Sequence, residues 1–167
     1  MIDFSITLLH GFIICLPFSV FVIITFWLRP RLWLHSLPPD IIEKAEPKTE
    51  IENSITRSLL LPLYILILPG LSVASVFYLH ETTSINYSFI DILIHIYSIW
   101  IVVHLWDFLI LDCGATLLID PQRPPISGTE GAKGWRDYKF HFRAFIRATI
   151  MSALFVVPIA LILYLAL

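Results

Sequence analysis

Residues 4–28 read FSITLLHGFIICLPFSVFVIITFWL and contain no Lys, Arg, Asp or Glu. A helix needs about 20 mostly apolar residues to cross the hydrocarbon core of a bilayer. The segment is therefore predicted to be a membrane-spanning helix. It lacks the basic start of a signal peptide, and no small-residue cleavage site precedes Trp27, Arg29 and Pro30, so we expect it to be retained as an anchor.

Three further segments, 58–79, 89–111 and 144–167, meet the same criterion. The chain of 167 residues is 57% hydrophobic and 14% charged, whereas soluble domains are about 45–50% apolar and about 25% charged. This composition excludes a soluble globular domain, and its high hydrophobicity excludes a disordered chain. The predicted fold is all-α, a single membrane domain of residues 1–167 with four transmembrane helices in an antiparallel bundle.

The basic residues are distributed asymmetrically along the chain. All 11 lie in or beside two segments, 29–57 and 112–143, which separate spans one and two and spans three and four. The positive-inside rule places such segments in the cytoplasm and therefore places both termini outside it. We expect the two segments to pack together as a cytoplasmic cap over the inner end of the bundle.

Local signals divide the cap further. Thr49-Glu50-Ile51-Glu52 is typical of a capping box and predicts a short helix that leads into the second span. Residues 41–45 are expected to form a short turn after two prolines, and residues 115–119, which are apolar and partly β-branched, are expected to be extended. From Asp137 onward the pattern is helical.

Three glycines, Gly128, Gly131 and Gly134, recur at every third residue of the second segment. This spacing can turn backbone amides inward to bind an anion, although an ordinary glycine-rich turn has the same pattern. No Walker sequence is present. The net charge of −2 gives no reason to expect a nucleic-acid partner.

The cap holds the residues that we expect to bind an anionic lipid head group or an acidic partner surface. Arginine is suited to this role because its guanidinium group binds phosphate or carboxylate through two hydrogen bonds. The alternative is general attraction between basic residues and the anionic leaflet. The candidate binding residues are Arg29, Arg31, His35, Glu130, Arg136, Asp137, His141, Arg143 and Arg147.

The third predicted span carries ionisable side chains, which are costly within a bilayer and should face protein, water or each other. His95 and His104 lie about 180° apart around the helix, so the helix has no continuous polar stripe. This arrangement predicts a helix in the middle of the bundle with partners on two sides. The intramembrane polar cluster consists of Asp91, His95, His104 and Asp107.

Two site types compete for the inner part of this cluster. Asp107 and Arg147 lie at comparable depths, which predicts a buried ion pair with His104 as a hydrogen-bond neighbour. Alternatively, His104 and Asp107 bind a transition metal together with a third ligand such as His141, although no spacing motif supports that reading.

Haem ligation is a further alternative for the histidines. Two imidazoles from different helices would have to converge, and only His10 and His95 lie near the same external side, whereas His104 lies nearer the internal side. No cofactor is predicted, and haem or a transition metal at His95 or His104 remains an alternative.

Both cap segments contain sequences that resemble a known family. RPRLWLHSLPPDI with PKTE in the first, and GTEG followed by DYKFHFR in the second, are similar to segments of a family of small, uncharacterised bacterial membrane proteins with four spans. The resemblance covers about a third of the chain. It implies a location in the bacterial plasma (inner) membrane and no particular activity.

Three classes of function fit these features. The first is a non-enzymatic membrane protein that acts by assembly, as a homo-oligomer or as a subunit of a larger membrane complex. The second is a small oligomeric channel or transporter that uses the polar third span. The third is a membrane enzyme that acts on a lipid head group, with His141, Asp137 or Glu130 in acid–base roles.

Overall fold

A computed structural model describes residues 2–83 and 85–167, without the side chains of residues 61, 63, 64 and 65. This part of the chain is helical and contains no β-strand. The α-helices are α1 (Phe4–Leu28), α2 (Pro39–Lys44), α3 (Glu50–Ile55), α4 (Leu61–Thr83), α5 (Phe89–Trp106), α6 (Cys113–Leu118) and α7 (Tyr138–Ala166).

Within the described residues, three helices are long and apolar enough to cross a membrane. They are Phe4–Leu28, Phe89–Leu118 and Tyr138–Ala166. Each has a continuous apolar stretch of the length that a bilayer requires. The predicted all-helical, membrane-type fold is therefore confirmed at this level.

The second of these helices is longer than the sequence predicted. It consists of α5, a π-helical turn at Asp107–Asp112 and α6. The prediction that residues 115–119 are extended is wrong, because the helix continues to Leu118. The helix ends where Pro121 approaches, since a proline disfavours the helical conformation of the residue before it.

Two helix starts agree with the sequence. Thr49 accepts a hydrogen bond from the Glu52 amide, and Glu52 accepts one from the Thr49 amide, so the predicted capping box forms at α3. A π-helical turn at Thr56–Leu60 joins α3 to α4. Asp137 caps α7 by accepting a hydrogen bond from the Phe140 amide at 3.0 Å. As a result α7 begins six residues before the predicted span.

Helix α5 is the central helix of the structure. It packs most extensively against α1 and α7 and also contacts α4. Side-chain hydrogen bonds link it to its neighbours: the Trp106 indole donates to Ser19 of α1 at 2.8 Å, and the Trp100 indole donates to Ser72 of α4 at 3.0 Å. The prediction that the third predicted span is central, with partners on two sides, is therefore confirmed for α5.

The two basic segments pack together as predicted. Residues 112–118 and 138–143 of the second segment belong to the flanking helices. In the structure the cap therefore comprises residues 29–57 and 119–137. The Gly134 amide donates to Asp40 at 2.9 Å across the two segments. Their side chains share one apolar core, formed by Leu34, Leu37, Ile41, Ala45, Ile119, Ile126, Ala132 and Trp135.

Candidate functional site

A cavity of about 650 Å³ lies between α1, residues 107–119 and the cap. Its lining is mainly apolar and aromatic. Phe18, Phe26 and Trp27 contribute from α1, and Trp33 and Trp135 contribute from the cap. A concave, mostly apolar site with a few polar groups is the usual form of a small-molecule site in proteins.

Four ionisable side chains interrupt this apolar lining: His35, Asp107, Asp112 and His141. No lysine or arginine is among the lining residues. The polar part of the cavity is therefore acidic and imidazole-bearing, whereas the basic residues of the cap lie elsewhere.

Asp112 and His141 form a polar pair in the cavity. His141 Nδ1 lies 3.1 Å from Asp112 Oδ2, and the two side chains are 12% and 30% exposed. Asp112 ends the π-helical turn, and His141 lies in the first turn of α7. His141 is thus engaged by Asp112. Within the described residues, no group of three His, Cys, Asp or Glu side chains is placed to hold a metal ion.

Asp107 begins the π-helical turn and faces the same cavity. The predicted ion pair with Arg147 does not form: within the described part of the chain no basic side chain lies within 4.0 Å of the Asp107 carboxylate. Arg147 is exposed. Equal depth in two helices does not fix their rotation, and α7 turns Arg147 away from α5.

His104 lies one turn before Asp107 and is 8% exposed. Its ring meets Trp100 edge-on, with the centroids 6.3 Å apart. Nε2 of His104 is buried and has no hydrogen-bond partner among the described residues. His104 is therefore not the hydrogen-bond neighbour of an ion pair.

At the other end of α5, His95 is the centre of a hydrogen-bond chain, the far-end network, formed by Thr7, His10, Ser75 and His95. His95 Nδ1 lies 2.8 Å from Thr7 Oγ1, and Nε2 lies 2.7 Å from Ser75 Oγ. His10 Nδ1 lies 2.6 Å from the same Ser75 oxygen. The network joins α1, α4 and α5.

The haem alternative concerns the same histidines. His10 and His95 converge, with ring centroids 6.0 Å apart. Both ring nitrogens of His95 are engaged by hydroxyl groups, so haem ligation by His95 would have to displace Thr7 or Ser75. Asp91 is separate from His95, since it forms a capping box with Ser88 at the start of α5.

One of the predicted basic binding residues is committed to the interior of the cap. The Arg31 guanidinium donates to both carboxylate oxygens of Glu52, at 2.9 and 3.2 Å, and to the Pro47 carbonyl at 2.6 Å. The pKa of Glu52 is lowered from 4.5 to about 2. The largest cause is the hydrogen bond from Arg31, and the second is the hydrogen bond from the Thr49 amide. Arg31 therefore stabilises the cap.

The other predicted cap residues do not converge on one point. Asp137 caps α7, and Glu130 accepts a hydrogen bond from the Gly128 amide at 3.2 Å. His35 stacks on Trp33. The pKa of His35 is lowered mainly by desolvation and to a smaller extent by the nearby charge of Lys48. The remaining four are exposed without an ion pair among the described residues: Arg29, Arg136, Arg143 and Arg147.

The glycine-rich turn has little capacity for an anion. Gly128 and Gly131 adopt positive φ angles of 85° and 68°, as a tight turn requires. Their amides already have partners: Gly128 donates to Glu130, and Gly131 donates to the Pro121 carbonyl at 2.8 Å. Gly134 donates to Asp40. The ordinary turn is thus the reading that fits.

No family model, curated protein or solved structure matches this chain. The resemblance to bacterial four-span proteins therefore stays a prediction. Sequence reasoning missed the cavity and the partners of His95. The available signal was the presence of single hydroxyl residues, Thr7 and Ser75, within long apolar helices, where an interhelical hydrogen bond is their usual use.

Proposed function

We propose that the chain is a multi-pass protein of the bacterial plasma membrane with four antiparallel spans. Helix α4, the second of them in chain order, is added to the three helices identified above. Both termini lie outside the cytoplasm and the cap lies inside. The one-sided distribution of Lys and Arg supports this orientation. The cap supports it further, because both basic segments belong to one folded unit.

Cysteine labelling tests this topology. In a variant with Cys15 and Cys113 replaced by serine, a cysteine at Thr83 should react with an impermeant reagent added to intact cells. A cysteine at Ser127, which is exposed in the cap, should react only after permeabilisation. Reaction of the second cysteine in intact cells would reverse the orientation.

We further propose that the protein acts by binding and assembly rather than by catalysis, and that it receives the apolar part of an amphiphile in the cavity. The cavity between α1, residues 107–119 and the cap is the observation that carries this proposal. It lies where membrane helices meet the cap, so lipid-like molecules could reach it from the inner leaflet. The assembly is a homo-oligomer or a larger membrane complex.

Two features make the alternatives weaker. The acid–base residues expected of an enzyme do not converge, since Asp137 caps a helix and Glu130 accepts from a turn. A channel along the third span would need a continuous polar path, whereas both ring nitrogens of His95 are hydrogen-bonded within the far-end network. The exposed arginines of the cap and of α7 suit general attraction to anionic lipid, at about 1 kcal/mol per residue near the surface.

The test is to fill the cavity. A Cβ at Gly114 meets no atom within 4 Å, and Gly114 lines the cavity. We expect Gly114→Trp to remove lipid that co-purifies with the protein, as read by native mass spectrometry, which also reports the oligomeric mass. Leu117→Trp is the matched control, because Leu117 lies in the same helix, is 69% exposed and is absent from the lining. Equal lipid retention by both variants would contradict the proposal.

A charge-preserving substitution tests exposed arginines of the cap and of the start of α7. If Arg29, Arg136 and Arg143 attract anionic lipid only by charge, their replacement by lysine should leave binding to anionic vesicles unchanged. A loss of binding would instead indicate a shaped anion site, which the exposed, unpaired positions of these residues do not favour.

A further inference from the structure

We propose that the cavity selects an amphiphile with a cationic amine head group, which Asp107 and the Asp112–His141 pair bind. This inference rests on the proposed function, since it names the ligand class of the same cavity. It is distinct from the attraction of anionic lipid to the outer surface of the cap. The two sites differ in location and in the sign of the charge that they favour.

The first argument is the charge of the lining. Two carboxylates and two imidazoles face the cavity, and no lysine or arginine does. An anionic head group would bring its charge close to the half-buried Asp107 and Asp112, where like charges repel more strongly than in bulk water. A cationic amine would meet the opposite charge and could donate hydrogen bonds to the same oxygens.

The second argument is the contrast between the two carboxylates. Asp112 has His141 at 3.1 Å. Asp107 has neither a basic partner within 4.0 Å nor a hydrogen bond from another side chain among the described residues. A carboxylate removed from water needs a counter-charge or a proton. An amine in the cavity would supply both a positive charge and N–H donors.

The third argument is the arrangement of the apolar lining. Phe18, Val22 and Phe26 extend from the polar region along α1, and Trp27 and Trp33 lie near the cap. An alkyl chain can therefore follow α1 while the head group stays beside Asp107. A volume of about 650 Å³ lies within the range of single-ligand cavities.

Three probes with the same tail and different heads test the selectivity. They are diazirine-bearing dodecylamine, dodecanol and dodecyl sulfate, each photo-crosslinked to the purified full-length chain in phosphatidylcholine nanodiscs. Crosslinks are mapped by peptide mass spectrometry as a function of probe concentration. We expect saturable labelling of the cavity-lining peptides by the amine at the lowest concentration, and weaker labelling by the alcohol and the sulfate.

Asp107→Asn is the decisive variant, because it keeps the shape of the side chain and removes its charge. Loss of a charged hydrogen bond should weaken amine labelling by about tenfold or more, while dodecanol labelling changes little. Asp120→Asn is the matched control, since Asp120 is exposed in the cap. Thermal unfolding of each variant, followed in parallel, shows that the fold is retained.

The outcomes separate this inference from the proposed function. If Gly114→Trp abolishes labelling by all three probes but the amine has no advantage, the cavity binds amphiphiles without head-group selection and the inference is rejected. If the sulfate labels best, or if Asp107→Asn leaves amine labelling unchanged, the inference is also rejected. If no probe labels the lining saturably and Gly114→Trp has no effect, the proposed function fails with it.

Discussion

His95 and Asp107 lie towards opposite ends of the helix Phe89–Leu118, and they differ in whether their side chains have partners. At one end, both ring nitrogens of His95 are satisfied by Thr7 and Ser75. Near the cap, Asp107 has no basic partner within 4.0 Å among the described residues, and it faces a cavity. Buried polar groups that are fully hydrogen-bonded fix a structure, whereas an unpartnered group beside a cavity indicates a place for a ligand. We therefore expect the first end to contribute stability and, under the proposed function, the second end to bind a ligand.

The largest expected effect tests the far-end network. We expect His95→Leu to lower the free energy of unfolding by about 2–3 kcal/mol, because Thr7 and Ser75 each lose a buried partner. Unfolding in mixed detergent micelles measures it. His104→Leu is the matched control, and it should cost much less because Nε2 of His104 has no partner to lose. Equal losses in the two variants would erase the difference between the two ends.

The next prediction concerns how closely α1 and α5 approach each other between the two ends, midway along the helix Phe89–Leu118. A Cβ on Gly11 would lie 2.9 Å from Cγ1 of Val102, so α1 and α5 leave no room for a side chain there. We expect Gly11→Val to cost about 1–2 kcal/mol through overpacking. Val102→Ala in the same chain should recover part of the loss. Gly70→Val is the control, because a Cβ there meets nothing within 4 Å.

Additive losses in the Gly11→Val, Val102→Ala double variant would mean that the two residues do not limit each other. Recovery would sharpen the contrast, since α1 and α5 then pack tightly midway along the helix, whereas a cavity of about 650 Å³ lies nearer the cap.

Sequence reasoning predicted the elements that depend on local chemistry. The capping box of Thr49 and Glu52, the helix start at Asp137 and the central position of the third helix follow from residue types and spacing. The packing of the two basic segments into one cap also agreed with prediction. These features need no knowledge of how one helix is rotated relative to another.

The features that depend on helix rotation and length were not predicted. Asp107 and Arg147 have similar depths, but depth leaves the direction of each side chain open, and Arg147 is exposed. The helix continues past residue 111, because a single Gly114 in an apolar run does not end a helix whereas Pro121 does. The cavity arises from the placement of three separate segments, for which a single sequence holds no local signal.

A smaller effect is expected in the cap, which lies outside both ends of the comparison. The Arg31 hydrogen bonds hold the pKa of Glu52 near 2, below its ordinary value of 4.5. The ionised form is thus favoured in the folded state, so this pair contributes stability above pH 4.5 that is lost as the pH falls toward 2. An ion pair of this kind contributes about 0.2–1 kcal/mol.

The measurement is the intrinsic tryptophan fluorescence during unfolding between pH 5 and pH 2, to which Trp33 and Trp135 of the cap contribute. Glu52→Gln should be less stable than the native chain at pH 5 and should show a shallower dependence on pH. An identical pH profile in both proteins would show that another carboxyl group governs the acid transition.

The smallest expected effect is the most informative about the end of the helix near the cap, where Asp107 lies. If Asp107 were paired with Arg147, Asp107→Asn would leave a buried cation alone and cost about 3–5 kcal/mol. Because no such pair forms, we expect the variant to retain the stability of the native chain or to gain slightly, since it removes a carboxyl group that no basic residue offsets. The same detergent unfolding assay used for His95→Leu measures the difference. A loss as large as that of His95→Leu would show that Asp107 is satisfied by a basic partner, and the end near the cap would then be as fully paired as the far end. An unchanged stability combined with a lost amine preference would show that the carboxylate contributes to binding and not to the fold.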